Sequence, residues 1–321
     1  MAAAVVAAAV ARQGAVASQI RSVVSVIDTA SNTIATRAIK VGPYPSAIAL
    51  SPDGSRAYVV NSGVERGSVS VIDTATNKLI VKAIKVGRYS EEIAITPDGR
   101  SAYVANFGSN AVSVIDTATN SLAVKAIEVG RGPTAIAISP DGRRAYVTNT
   151  RSGTVSVIDT ATDKPATRAI KVGRVPAAIA ISPDSSRAYV ANTRDDTVSV
   201  IDTATDKVVK NVRTGDTPSA IALSPDGSRA YVANARSGTV SVIDTRTGKP
   251  AARAAKVAHR PTDIAISPDG ERAYVTSMEP GLVSVLDTAT RRPIGKAIRI
   301  GLFPLALAIS PDGSRVYVVK N

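Results

Sequence analysis

The 321-residue chain has no cysteine, no tryptophan and a single histidine. Without cysteine, disulfide staples, thiol nucleophiles and sulfur ligands for zinc are excluded. With one histidine there is no histidine cluster for zinc, and a Ser-His-Asp triad has one candidate base. That residue, His259, lies in Val257-Ala-His-Arg-Pro261 between two strand-like stretches, where a histidine is ordinarily just solvated. Long apolar runs are also missing. Met1–Ala11 is the nearest to one and is too short to cross a bilayer. Beyond that Ala-rich start, no segment keeps apolar residues at helical spacing over ten or more positions. No glycine-rich phosphate loop opens a helix, and the repeated Asp-Gly pairs lack the EF-hand pattern. No catalytic residue, metal site or cofactor is therefore assigned from sequence.

What is present is a repeat. The proline of a Ser/Thr-Pro-Asp turn occurs at Pro52, Pro97, Pro140, Pro183, Pro225, Pro268 and Pro311, at intervals of 42 to 45 residues. The aspartate of an Ile/Leu-Asp-Thr element occurs at Asp28, Asp73, Asp116, Asp159, Asp202, Asp244 and Asp287. Two independent markers thus count seven copies. A period of about 40–45 residues without helices is that of a propeller blade. Within a copy the spacing predicts four short strands, exemplified by Ala135–Ile138, Ala145–Thr148, Val155–Ile158 and Ala169–Val172. Their residues are small or β-branched. Pro-Asp-Gly supplies a tight turn, with proline presetting φ and glycine accepting a positive φ. The chain starts on a third-strand element (Val23–Ile27) and ends on a second-strand element (Val316–Val319). The expected fold is all-β: a seven-bladed propeller of four-stranded antiparallel blades over residues 23–321. Two N-terminal and two C-terminal strands share one blade and close the ring, hiding sheet edges.

Residues 1–22 stand apart as an Ala-rich tail. Ala15-Val-Ala17 before Ser18 has the look of a signal cleavage site, but the basic stretch expected ahead of it is missing. Two readings stay open, an export signal and a plain tail. The corresponding locations are the cell exterior or surface, and the cytoplasm.

The formal net charge is +13. Thirteen basic residues, from Arg37 to Arg299, fall on fourth strands, and eight more follow the Pro-Asp turn between Arg56 and Arg315. Spread around the rim, they read mainly as guards on edge strands, with attraction to an anionic surface as the alternative. Aromatics are 3% of the chain and are not interleaved with these charges, which argues against nucleic acid as a partner.

Differences among the copies separate scaffold from site. The Pro-Asp and Asp-Thr turns hardly vary and share one face of the ring. The other two connections vary and share the opposite face, where a rigid scaffold carries its binding loops. Seven of the nine tyrosines are the repeat tyrosine. The other two, Tyr44 and Tyr89, and both phenylalanines, Phe107 and Phe303, lie on the variable face. Tyr44, Tyr89 and Phe303 occupy one equivalent position, held elsewhere by Gly132, Val175, Thr217 and Arg260. One residue earlier, Arg88, Arg131 and Arg174 form a cationic arc over copies two to four. An aromatic arc beside a cationic one suits an anionic or sugar-like ligand, or a protein partner. Glu91 and Glu92, and Asp263 at the position matching Glu92, replace small residues near the expected channel mouth. They belong to copies two and six and are not expected to be neighbours. Glu92, Asp263 and His259 complete the candidate binding set.

Tyr146-Val-Thr-Asn149, with Tyr58-Val-Val-Asn61, Tyr103-Val-Ala-Asn106, Tyr189-Val-Ala-Asn192 and Tyr231-Val-Ala-Asn234, resembles the YVTN β-propeller repeat. Copies six and seven depart from it, with Ser277 and Lys320 in place of the asparagine. The resemblance implies a seven-bladed propeller similar to those of archaeal surface-layer proteins and exported bacterial proteins. Related propellers also serve as lactonases, lyases and domains of haem or copper enzymes, but none of their ligand sets maps onto this chain. The expected function is a monomeric, non-catalytic binding or cell-surface propeller working through its variable face. The alternative is an enzyme, a hydrolase, lyase or isomerase, with its site at the channel mouth.

Overall fold

The computed structural model describes residues 22–251, 253–301 and 303–321, with the side chains of Arg37 and Lys125 left out. The tail at residues 1–21, and hence the signal-segment reading, lies outside the described residues. Among the described residues every regular element is a strand, and the strands form seven antiparallel sheets. No helix among the described residues is long and apolar enough to cross a membrane. Blades are numbered here by their first strands, which pack side by side around the central axis. Blade 3, for example, runs outward through Pro133–Ile138, Arg144–Asn149 and Thr154–Asp159. Blade 7 joins Pro304–Ile309 and Arg315–Lys320 to Val23–Asp28 and Thr33–Lys40. Val24 lies opposite Val319 and Val26 opposite Tyr317, so the ends of the chain close the ring as expected.

The fourth strands differ from expectation in three blades. Blades 1, 2 and 7 have continuous outer strands of 8 residues, Lys78–Lys85, Ser121–Glu128 and Thr33–Lys40. Blades 3 and 5 split theirs into two-residue pieces, and blade 6 keeps only Ile298–Arg299 beyond an isolated bridge at Pro293. The interruptions begin at Pro165, Pro250 and Pro293. Proline has no N–H to give the ladder, and only an outermost strand tolerates the loss.

One face of the ring is held by hydrogen bonds that involve almost every conspicuous repeat residue. Asp53 accepts from the Ser51 hydroxyl and from the Ser55 backbone N–H at 3.0 Å. Such bonds, the serine hydroxyl's first, hold Asp53, Asp184, Asp226 and Asp312 down to about 2. The arginines that open the second strands were expected to be edge charges, and several do something else. Arg56 Nη1 donates to the Thr117 carbonyl of the next blade at 2.8 Å, and Arg315 Nη1 does the same to Thr74 at 2.8 Å. Arg144, Arg229 and Arg272 repeat this bridge to Thr203, Thr288 and Thr29. They are staples between blades. The repeat tyrosines are buried beside them, and Tyr103 donates to Asp163 of the next blade at 2.6 Å.

The repeat asparagine closes the other end of the second strand. Asn192 is fully buried and donates from Nδ2 to Ser199 Oγ on the third strand at 2.8 Å. The glycine ending the fourth strand lies flat on this amide. A Cβ added to Gly173 would meet Asn192 Cγ at 2.6 Å, and one added to Gly130 would meet Asn149 Cγ at 2.6 Å. Blade 6 resolves its departure from the repeat by changing both partners. Ser277 replaces the asparagine, Ala258 replaces the glycine, and Ser277 Oγ donates to the Ala258 carbonyl at 3.3 Å. In blade 7, Lys320 folds back to the Ile300 carbonyl beside Gly301. Gly173→Ala alone should destabilise the ring by about 1–3 kcal/mol through overpacking. Adding Asn192→Ser should recover at least about 1 kcal/mol of that loss in a double-mutant cycle. Denaturant unfolding of the four proteins measures the coupling, and additive effects would refute it.

Candidate functional site

The variable face is built on a backbone requirement. The residue before each first strand is left-handed in all seven blades, at φ 54 for Tyr44, 48 for Tyr89, 67 for Gly132, 56 for Val175, 60 for Thr217, 54 for Arg260 and 53 for Phe303. Its carbonyl accepts the N–H of the residue after the repeat asparagine, as from Phe107 to Tyr89 at 2.9 Å and from Thr193 to Val175 at 3.0 Å. The conformation is costly for a β-branched residue such as Val175 or Thr217. The fold thus specifies the backbone here and leaves the side chain free to vary. Tyr44 is 46% exposed and Tyr89 37%.

Phe107 joins this arc indirectly. A Cβ on Gly132 would meet Phe107 Cε2 at 3.1 Å, so the ring covers the one blade that has no side chain at this position. The guanidinium of Arg151 stacks on it, 4.5 Å from the ring centroid. The cationic arc needs correction. Arg174 is engaged by Asp195, Nε to Oδ1 at 2.5 Å, and cannot act as a free cation. Arg88 and Arg131 are exposed, as are Arg151, Arg194 and Arg236 of the neighbouring loops, and none has a carboxylate in ion-pair range among the described residues. His259 is exposed on the same rim and stands apart from the carboxylates of the channel.

Those carboxylates form a separate feature. In every blade the pairing of first and second strands slips at the strand's second residue, between Ser90 and Glu92 in blade 2 and between Pro261 and Asp263 in blade 6. This bulge turns two successive side chains toward the axis. The result is a cavity of about 230 Å³ at the channel mouth, lined by Glu91, Glu92 and Asp263 among small residues such as Ala135, Ala178 and Ala220. The expectation that the acids of blades 2 and 6 stay apart fails, because blades remote in sequence still face one another across the channel.

Asp263 is pinned by two backbone donors, Ile264 N to Oδ1 and Leu307 N of the next blade to Oδ2, each at 2.8 Å. Burial raises it to about 6, against the pull of those donors. Glu92 has one such bond, from its neighbour Ile93 at 3.1 Å. Burial, and then the negative charge of Asp263, push Glu92 up to about 8. Glu91 is raised to about 7 by burial. Near neutrality Asp263 ionises first and Glu92 stays protonated, so the cavity holds a carboxylate and a carboxylic acid together. Among the described residues no group of His, Asp and Glu has the arrangement of a metal site.

All three acids have pKa values above those of an unfolded chain. At these three positions the folded protein holds more protons than the unfolded one, so above the range in which the lowered aspartates titrate, stability falls as pH rises from about 5 to about 8. Thermal melts across this range should show the decline. Glu92→Gln should flatten its upper part and raise Tm at pH 9 relative to the parent; an unchanged profile would place Glu92 in solvent.

A family profile described as YNCE-like beta-propeller matches residues 19–183, about half of the chain. Another, described as Lactonase, 7-bladed beta-propeller, matches residues 117–262, a span that holds neither Glu92 nor Asp263. Among curated proteins none matches significantly. Among solved structures, hydrazine synthase of Kuenenia stuttgartiensis is similar at 26% identity and a TM-score of 0.77, over 89% of this chain and 98% of that one. With a matching profile over half its length and seven closed blades, the chain belongs to the YNCE-like β-propeller family.

Proposed function

We propose that the protein is a non-catalytic binding propeller whose variable-loop face takes an anionic, ring-bearing ligand, most directly an acidic sugar chain. One observation carries this reading: exposed rings at the left-handed positions of adjacent blades stand beside arginines with no carboxylate partner. Rings stack on the flat faces of sugars, and arginine forks match carboxylates. The opposite face commits its serines, aspartates and several arginines to turns and staples. Work at the cell surface, as in the surface-layer propellers that the Tyr-Val-Thr-Asn repeats resemble, is consistent with such a ligand. Titration with a polygalacturonate oligosaccharide should show binding that salt weakens. Replacing Tyr44, Tyr89 and Phe303 together by alanine should weaken it at least tenfold, about 1.4 kcal/mol, with the fold intact by circular dichroism. Equal binding by this variant would remove the arc from the site.

A second reading, an acid–base enzyme at the channel mouth, is favoured by the split protonation of Glu92 and Asp263. In it Glu92 is the general acid and Asp263 the base. The likeness to a hydrazine synthase and the partial lactonase match are compatible with it. Hydrolysis of a simple lactone abolished by both Glu92→Gln and Asp263→Asn would support it; hydrolysis at the buffer rate by the parent protein would reject it for that substrate class.

A further inference from the structure

The acids of the channel are not accounted for by the fold. At the position of Glu92 and Asp263 the other five blades carry alanine: Ala47, Ala135, Ala178, Ala220 and Ala306. The ring closes without a carboxylate there, and burying one opposes folding. Glu91 adds an independent sign. It is only 6% exposed, lines the cavity, and has neither a hydrogen-bond donor nor an ion-pair partner among the described residues. Among the described residues no lysine, arginine or histidine lies within ion-pair range of it. Arg260, the one cation among the described residues lining the mouth, is paired with Glu279 at 3.1 Å.

We propose that the channel mouth is a binding site, separate from the loop face, for a small primary aliphatic amine whose ammonium group sits among Glu91, Glu92 and Asp263. The ammonium supplies the positive charge and the N–H donors that these carboxyl groups lack. The alanines on the wall accept a short carbon chain. A divalent metal fits less well: both oxygens of Asp263 already accept backbone N–H groups, and no His, Asp and Glu among the described residues are arranged to hold a metal ion. A quaternary ammonium fits less well too, because none of the described residues lining the cavity is aromatic and could cage it. Asp263, fixed by two backbone donors, is the preorganised anchor, while Glu92 and Glu91 ionise as the cation arrives. Binding is therefore linked to proton release and strengthens with pH through the range in which Glu91 and Glu92 titrate.

The test is calorimetric titration of the full chain at pH 8 with n-butylamine, 1-butanol, tetramethylammonium and calcium chloride as separate probes. The amine should bind and the isosteric alcohol should not. Affinity for the amine should fall at least tenfold between pH 8.5 and pH 6, and its heat should depend on the buffer's ionisation enthalpy because protons are released. Glu92→Gln and Asp263→Asn should each weaken binding at least tenfold while melting cooperatively. The Tyr44, Tyr89 and Phe303 alanine variant should bind the amine like the parent, so failure here and failure of the loop-face reading are told apart. Equal binding of alcohol and amine, unchanged affinity in both carboxylate variants, or calcium binding in place of amine would each overturn the proposal.

Discussion

Each blade of this protein buries its faces only against its neighbours, and the rest of the structure follows from that. Every apolar cluster in the ring draws on two consecutive blades. Tyr58, Val60 and Val71 of blade 1 pack on Ile93, Val104 and Ile115 of blade 2. Tyr274 and Val285 of blade 6 pack on Leu307, Val318 and Ile27 of blade 7. A blade without its neighbour would expose a sheet face to water, at about 25 cal/mol for each Å² of apolar surface. Closure by strands from both ends of the chain therefore stabilises blades 6 and 1 as much as blade 7. The same constraint selects alanine, valine and isoleucine, because tightly stacked sheets leave room for little else than the repeat tyrosine.

Polar groups at the two ends of the ring serve different purposes. At the end carrying the Pro-Asp turns, arginine staples tie blade to blade and serine–aspartate bonds fix the turns, and substitutions there break structure. At the other end the fold dictates a left-handed backbone and a carbonyl acceptor, and both are indifferent to the side chain. Tyrosine, glycine, valine, threonine, arginine and phenylalanine all occupy that position. A scaffold that demands only main-chain geometry at seven places around an opening lets surface chemistry change without loss of closure. This is the physical basis for assigning recognition to that end.

The architecture was legible in the sequence because its signals are local and repeated: the spacing of turn prolines, the alternation of small apolar residues, and third- and second-strand elements at the ends. Other features were legible only as pairs. The glycine of the fourth strand and the repeat asparagine make one contact, and the joint change to Ala258 and Ser277 reports it. What could not be read was anything that depends on crossing the ring or on loop geometry. Asp195 neutralises Arg174 from a loop 21 residues on, and Arg151 stacks on a phenylalanine of the preceding blade. The bulge that aims Glu92 and Asp263 into one cavity leaves no mark in residue type, since its register slip recurs in blades that carry only alanine there.

The channel also shows which electrostatic effect wins. A chain with a net charge of +13 would be expected to hold its carboxylates ionised. Instead Glu92 rises to about 8 and Glu91 to about 7. The exposed cations of the rim act through water, where salt screens them beyond about 8–10 Å. The walls of the channel act at contact distance and replace water with alanine methyl groups and backbone already committed to strands. Short-range desolvation therefore outweighs the long-range field, and an acidic pocket persists inside a basic ring. Any ligand that relieves this penalty must bring its charge inside the wall, because cations on the rim do not reach it. That separates the two candidate sites physically: the loop face works by exposed charge that salt can weaken, the channel by buried charge that pH controls.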